Sequence, residues 1–310
     1  MRQIFVNLKR FEVPKSLGGL SSVADPVQWI DSVITDTVQQ GLGSHPNLSL
    51  TYLLPEGLIN TAVNRLHSFS DDQTRMLAVG CQGVHWENIQ PGKNFGAYTT
   101  SLPAAAAAAL GSQWAIIGHS EERKAKLQVM RAYEPGIHTD PVLRIISTHA
   151  IDRLIQAEIA AALDSGLKVL LCVGESAEER GEGSFDEQQH NITEVLRNQL
   201  MGDLHASKNA LQDGRIVIGY EPVWAIGPGK TPPGAEYISF VSATIKNLIL
   251  ENFGVEVAVV YGGGLKEENA AMIAGIPTID GGLVALTRFS GEIGFSVPEL
   301  KRIIEKYLTA

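Results

Sequence analysis

Apolar positions along this chain gather into eight short, β-branched runs, at residues 4–8, 48–54, 76–81, 114–118, 168–173, 216–220, 257–261 and 279–284. Most are apolar at consecutive rather than alternate positions, as expected of parallel strands covered on both faces. The stretches between them read as helices. The clearest runs from Ser147 to Gly166, where Ile151, Leu154, Ile155, Ile159 and Leu163 share one helical face. Ser147 is its expected start and Gly166 its expected stop. Ser184-x-x-Glu187 and Ser296-x-x-Glu299 are capping-box patterns ahead of two more helices. The alanine run after Pro103 reads as a further helix. Turn-forming residues cluster at 14–26 and 135–141, in segments too short to link domains.

Eight strand-then-helix units with no break in composition predict an α/β chain forming a single (β/α)8 barrel over residues 1–310. The competing architecture is a doubly wound open sheet. That fold usually carries a glycine fingerprint after its first strand, where this chain has Asn7-Leu8-Lys9-Arg10.

Composition narrows the function. Apolar residues make up 44% and charged residues 19%, enough for a large core. The net charge of −9 argues against a nucleic-acid or acidic-membrane partner, which a basic patch normally meets. No apolar run reaches the roughly 18 residues of a membrane span. The opening residues turn polar too soon for a signal peptide. Cys81 and Cys172 lie inside apolar runs, as expected of buried thiols in a cytoplasmic protein. The histidines form no HExxH, and no CxxC occurs, so no metal site is expected.

In a barrel of this kind chemistry sits at the C-terminal ends of the strands. The polar residues there are Asn7 and Lys9 after the first run, Gln82 after the third, and His119, Ser120 and Glu121 after the fourth. Glu221 follows the sixth, Gly262-Gly263-Gly264 the seventh, and Thr287 and Arg288 the eighth. A carboxylate closing an apolar strand is costly to bury unless paired or protonated. Glu221 is therefore either half of a structural ion pair or a general base in a water-poor pocket. His119 precedes a helix start, where backbone N–H groups disfavour imidazolium and leave a neutral ring able to donate one hydrogen bond. Lys9, two residues from Asn7, is expected on the same side of the first strand. Beside a fixed carboxylate such as Glu121 it would serve as an electrostatic clamp for an anion. Residues 222–231 have an apolar middle and stiff or small ends, the build of a lid. Gly229-Lys230-Thr231 is not the end of a P-loop, because the first glycine of that motif would fall at Trp224.

Together these residues resemble the triosephosphate isomerase family. The likeness rests on Asn7-x-Lys9, on Ala115-Ile116-Ile117-Gly118-His119-Ser120-Glu121, and on Tyr220-Glu221-Pro222-Val223-Trp224-Ala225-Ile226-Gly227. Cys172-Val173-Gly174-Glu175, Tyr261-Gly262-Gly263 and Asp280-Gly281-x-Leu283-Val284 support it. The resemblance implies a TIM barrel and an aldose–ketose isomerisation of a small phosphorylated sugar through an enediolate, without metal or organic cofactor. By similarity Glu221 is the base, and His119 polarises the carbonyl. Lys9 and Asn7 stabilise negative charge, and Glu121 holds Lys9, with Ser120 in support. Gly227, Gly264, Ala285 and Leu286 occupy the phosphate-binding positions. The family also implies a homodimer, with Thr99 of Gly96-Ala97-Tyr98-Thr99 reaching the other subunit's Asn7 and Lys9.

Several positions depart from the family pattern. Ala285 and Leu286 stand where the family has Gly-Gly, and Gly264 stands in place of a serine. Pro228 and Pro232 lie in or beside the lid, and Pro232 cannot supply the N–H that would bond the strand-seven tyrosine. Two insertions, after Lys9 and at 124–140, flank the expected site. The catalytic pattern is thus intact while the phosphate and lid positions are altered. That leaves a triose phosphate and a longer sugar phosphate, such as a tetrulose phosphate, as competing substrates. A sugar-phosphate-binding barrel without turnover is the alternative of another class.

Overall fold

The computed structural model describes every residue except Pro228, Ser290 and Ala310, so the expectation for Pro228 lies outside the described residues. Eight strands form: β1 (Arg2–Asn7), β2 (Leu48–Leu54), β3 (Leu77–Cys81), β4 (Trp114–Ile117), β5 (Lys168–Val173), β6 (Ile216–Tyr220), β7 (Val259–Tyr261) and β8 (Gly281–Val284). Their bounds differ from the apolar runs by one or two residues at most. The strands join in sequence order into a closed barrel. The seam closes in parallel, with Gln3 beside Gly281 and Val6 beside Val284, which excludes the open sheet.

Alternation along the strands sorts the core into two layers. Phe5, Leu53, Trp114, Ile116, Leu170, Val217, Val260 and Leu283 pack together as one cluster. Their strand neighbours Ile4, Val6, Leu54, Ala115, Ile117, Leu171, Ile218 and Val284 pack in another with the helices. Each strand therefore buries both faces, which is why the runs are apolar without a break. Phe5 and Trp114 meet edge to face at 4.9 Å. Both cysteines are buried and free. Burial pushes the Cys81 thiol up to about 11 and raises that of Cys172 well above its ordinary value. Among the described residues no helix is long and apolar enough to cross a membrane.

Two helix starts differ from the sequence expectation. The helix expected from Ser147 starts earlier, at Pro141, and runs to Asp164. Asp140 accepts from the Val142 and Leu143 N–H groups and Pro141 fills the first turn, a stronger start than a serine alone. Ser147 is interior, its hydroxyl bonded to the Leu143 carbonyl at 2.8 Å. The box at Ser184 and Glu187 forms ahead of helix Phe185–Leu204. The one at Ser296 and Glu299 does not form, because Glu299 instead accepts from Thr287 Oγ1 at 2.7 Å and pairs with Arg288 at 3.1 Å.

Both insertions are ordered. The segment after β1 contains a 3-10 turn, Lys15–Leu17, and Lys15 pairs with Glu292 beyond β8. The insertion at 124–140 is a hairpin rather than a loop. It continues helix Ser120–Tyr133, turns through Pro135–His138 and enters helix Pro141–Asp164.

Candidate active site

The C-terminal end of the barrel opens into a cavity of about 350 Å³. It is lined by Asn7, Lys9, His119, Glu121, Glu221, Gly227, Gly264, Ala285 and Leu286. Strand ends as distant in sequence as Asn7 of β1 and Val284 of β8 thus converge on one space. Thr99 is absent from that lining; it borders a separate depression with Glu56, Ile89 and Tyr98.

Glu221 follows β6 and is 3% exposed. Its own backbone N–H bonds the Val173 carbonyl at 2.8 Å. Gly174 beside it has to be glycine, since a Cβ there would lie 1.8 Å from the Glu221 carbonyl oxygen. The Glu221 carboxylate accepts the Ser120 N–H at 2.9 Å through Oε2. Its Oε1 lies 3.2 Å from His119 Nε2. Ser120 therefore acts here through its backbone rather than its hydroxyl.

His119 caps the helix Ser120–Tyr133, and its Nδ1 accepts the Glu121 N–H at 3.2 Å. Because Nδ1 is occupied as an acceptor, the ring is in the neutral tautomer with its hydrogen on Nε2. That hydrogen points at Glu221. Behind it, Arg123 bonds the Gly118 carbonyl at 2.9 Å and the Cys172 carbonyl at 3.3 Å. Arg123 is anchored in turn by Asp152 and Asp203, so the ends of β4 and β5 are tied to two helices.

Lys9 reaches the cavity by another route than strand alternation. The strand stops at Asn7, and Lys9 adopts a left-handed backbone, φ 44°. Such a conformation costs a non-glycine residue on the order of 1–3 kcal/mol and persists only where its surroundings fix it. Here the Lys9 N–H bonds Asn7 Oδ1 at 3.0 Å and its carbonyl accepts from Gln82 at 2.9 Å. Gln82 also contacts Asn7 Oδ1 at 3.2 Å and the Leu53 carbonyl at 3.1 Å, so one amide group fixes the whole end of β1. Lys9 Nζ meets Glu121 Oε1 at 2.5 Å. Partial burial opposes charge on Glu121, but the Lys9 ammonium outweighs it and holds the carboxyl below its ordinary range.

After β6 the chain makes a 3-10 turn, Val223–Ala225, and Ala225, Ile226, Lys230 and Pro232 face the cavity. This loop is moored by Glu175, which is fully buried and accepts from Tyr220, Trp224 and Tyr237 at 3.1, 2.8 and 2.8 Å. Burial raises the Glu175 carboxyl above its usual range against the pull of those three donors. The Arg180 guanidinium lies over the Trp224 ring, 3.9 Å from its centre. Tyr261 is turned into its own loop, its hydroxyl donating to the Gly263 carbonyl at 3.0 Å.

On the side of the cavity formed by the loops after β7, β8 and β1 stand Gly264, Ala285, Leu286, Lys266 and the rings of Phe11 and Phe289. Gly264 has φ 92°, a backbone that a side chain would strain. Phe11, Lys266 and Phe289 were not singled out in the sequence. Phe11 and Phe289 lie in segments with no periodic pattern, and Lys266 follows a glycine run as an ordinary loop lysine. Among the described residues no three His, Cys, Asp or Glu side chains gather as a metal site.

Known proteins bear on this geometry. A family model described as triosephosphate isomerase matches residues 56–293. The triosephosphate isomerase of Corynebacterium glutamicum is 36% identical over 201 residues, covering 64% of this chain and 66% of that protein. That of Phocaeicola vulgatus is 33% identical over 229 residues, covering 73% and 76%. The match to the first of these thus spans about two thirds of its length. A solved triosephosphate isomerase from Bartonella henselae superposes with a TM-score of 0.62 at 24% identity over 92% of both chains, a likeness of fold. On the family model and these relatives, the chain belongs to the triosephosphate isomerase family.

Proposed function

We propose that this chain is a cofactor-independent aldose–ketose isomerase of small sugar phosphates. The observation that carries this reading is the contact of His119 Nε2 with Glu221 Oε1 at 3.2 Å, in one cavity with Lys9. A hydrogen-bond donor for a carbonyl, a buried carboxylate for the neighbouring carbon and a cation for the developing charge are the parts an enediolate needs. Substrate would take over the His119 Nε2 hydrogen with its carbonyl oxygen, releasing one Glu221 oxygen. That oxygen removes a proton from the adjacent carbon, and its electron pair forms the enediolate double bond as negative charge develops on oxygen. Lys9 and Asn7 face that charge, and Glu121 keeps Lys9 in place. Glu221 then returns the proton to the former carbonyl carbon, while His119 supports the transfer of protons between the two oxygens. No electrons leave the substrate, so no redox partner is required.

Dihydroxyacetone phosphate and glyceraldehyde 3-phosphate are the family's pair. The wall formed by the loops after β8 and β1 favours a longer or differently placed sugar phosphate. Leu286 brings a branched side chain where close backbone approach is needed, and Phe11 from the first insertion borders the same space. The active form would be a homodimer with Thr99 at the partner subunit's cavity, consistent with its place outside this chain's own. The test is an isomerase assay of the purified chain across three- to five-carbon sugar phosphates. Turnover of one of them, abolished in Glu221→Gln, supports the reading. Tight binding of a sugar phosphate without turnover would make the chain a binding barrel instead.

A further inference from the structure

Within the cavity the positive charges are unequally committed. Lys9 is already neutralised by Glu121. Lys230 is exposed on the loop after β6. Lys266, half-buried in the loop after β7, forms no ion pair among the described residues. Its neighbour Glu267 is taken up by Arg302 at 3.0 Å and Lys306 at 3.5 Å. The Lys266 ammonium instead lies over the Phe289 ring, 4.1 Å from its centre, and both residues line the cavity. Its Cε passes 3.9 Å from where a Cβ on Gly264 would stand, so the side chain folds back across that glycine.

The surrounding backbone is built to receive an anion. Asn269 fixes the loop, accepting the Lys266 N–H at 2.7 Å and donating to the Gly264 carbonyl at 3.0 Å. The N–H groups of Gly264, Ala285 and Leu286 have no acceptor among the described residues. An aromatic face holds an ammonium more weakly than a phosphate oxygen does, so the ring can surrender the lysine to a ligand.

We propose that Lys266 is the side chain that grips the phosphate monoester of the substrate, and that Phe289 holds it in position while the cavity is empty. The proposal deepens the isomerase reading, since it rests on the same cavity taking a sugar phosphate. It places the specificity-setting charge on the loop after β7, in the same cavity as Lys9 and Glu121.

The test is a calorimetric titration of the full chain with inorganic phosphate, in the unmodified protein and in Lys266→Met, Lys266→Arg and Phe289→Leu, with melting curves to establish folding. Lys266→Met should weaken phosphate binding about tenfold or more, the loss of a charge-assisted hydrogen bond. Lys266→Arg should recover part of it, and Phe289→Leu should lose no more than about fivefold. Unchanged affinity in Lys266→Met overturns the proposal. So does a loss in Phe289→Leu as large as that in Lys266→Met, or an unmodified protein that does not bind phosphate. Turnover of sugar phosphates by the same proteins separates the two ideas. Phosphate binding lost in Lys266→Met, in a chain with no isomerase activity, removes the isomerase reading and leaves the lysine. Isomerase activity with phosphate binding indifferent to Lys266 removes the lysine alone.

Discussion

At the Glu221 end of the cavity the candidate side chains are paired inside the protein. Asn7 is held by Gln82 and Lys9, Lys9 by Glu121, and Glu221 by Ser120 and His119. At the end formed by the loops after β7 and β8, the N–H groups of Gly264, Ala285 and Leu286 have no acceptor among the described residues, and Lys266 rests on a ring rather than a carboxylate. The first end is preorganised, so its geometry is fixed before any ligand arrives. The second end, in the proposed reading, is left for an anion to complete. In the isomerase reading proposed above, chemistry belongs to the first and choice of substrate to the second, and a substitution should reveal which end it touches by whether kcat or KM moves.

The largest effect is expected at the base. Glu221→Asp withdraws the carboxylate by about 1 Å, and misplacement on that scale costs about 10²-fold or more in kcat. Steady-state kinetics should show that fall with a modest change in KM, while an unchanged kcat would remove Glu221 from the reaction. Next is Lys9→Met. With Asn7 and Gln82 still holding the backbone, the fold should survive while KM rises and kcat falls together. An enediolate-mimicking competitor should lose far more affinity than inorganic phosphate, whose grip is assigned to Lys266; an unchanged kcat would make Lys9 structural.

A smaller change is expected from restoring glycines at the second end. Ala285→Gly with Leu286→Gly should shift preference toward the triose phosphate by about tenfold, the scale of one good hydrogen bond to an anion. Ratios of kcat/KM for two substrates measure it, and an unchanged ratio would show that these positions do not set choice. The smallest effect is at Glu121, which is largely exposed. Glu121→Gln should change stability by no more than about 1 kcal/mol. The Glu121 carboxyl is held below its unfolded value, so its contribution is present above the ordinary carboxylate range and is lost as pH falls through the lowered one. Melting curves of the two proteins should therefore converge in acid; a gap that widened in acid would contradict the pairing.

How far the sequence could be read follows the same division. The strands and the inner half of the cavity are carried by contiguous apolar runs that end in polar residues, and such runs are visible without coordinates. His119 and Glu221 sit where those runs stop. The backbone reversal at Lys9 was not visible, because an Asn-x-Lys spacing reads as strand alternation until Gln82 is seen to pull the chain round. Lys266 and Phe289 lie 23 residues apart in separate loops, and nothing periodic links a lysine to a ring across them. Likewise Asp140 outcompeted Ser147 as a cap, since the strength of a helix start depends on which side chain reaches the free N–H groups.

The division of labour between the two ends is tested most directly by kcat/KM of the unmodified protein for glyceraldehyde 3-phosphate beside a four-carbon sugar phosphate. The expected result is a higher kcat/KM for the longer substrate, with both activities abolished in Glu221→Gln. Turnover of glyceraldehyde 3-phosphate near the diffusional ceiling of about 10⁸–10⁹ M⁻¹s⁻¹, and above that of the longer substrate, would contradict it.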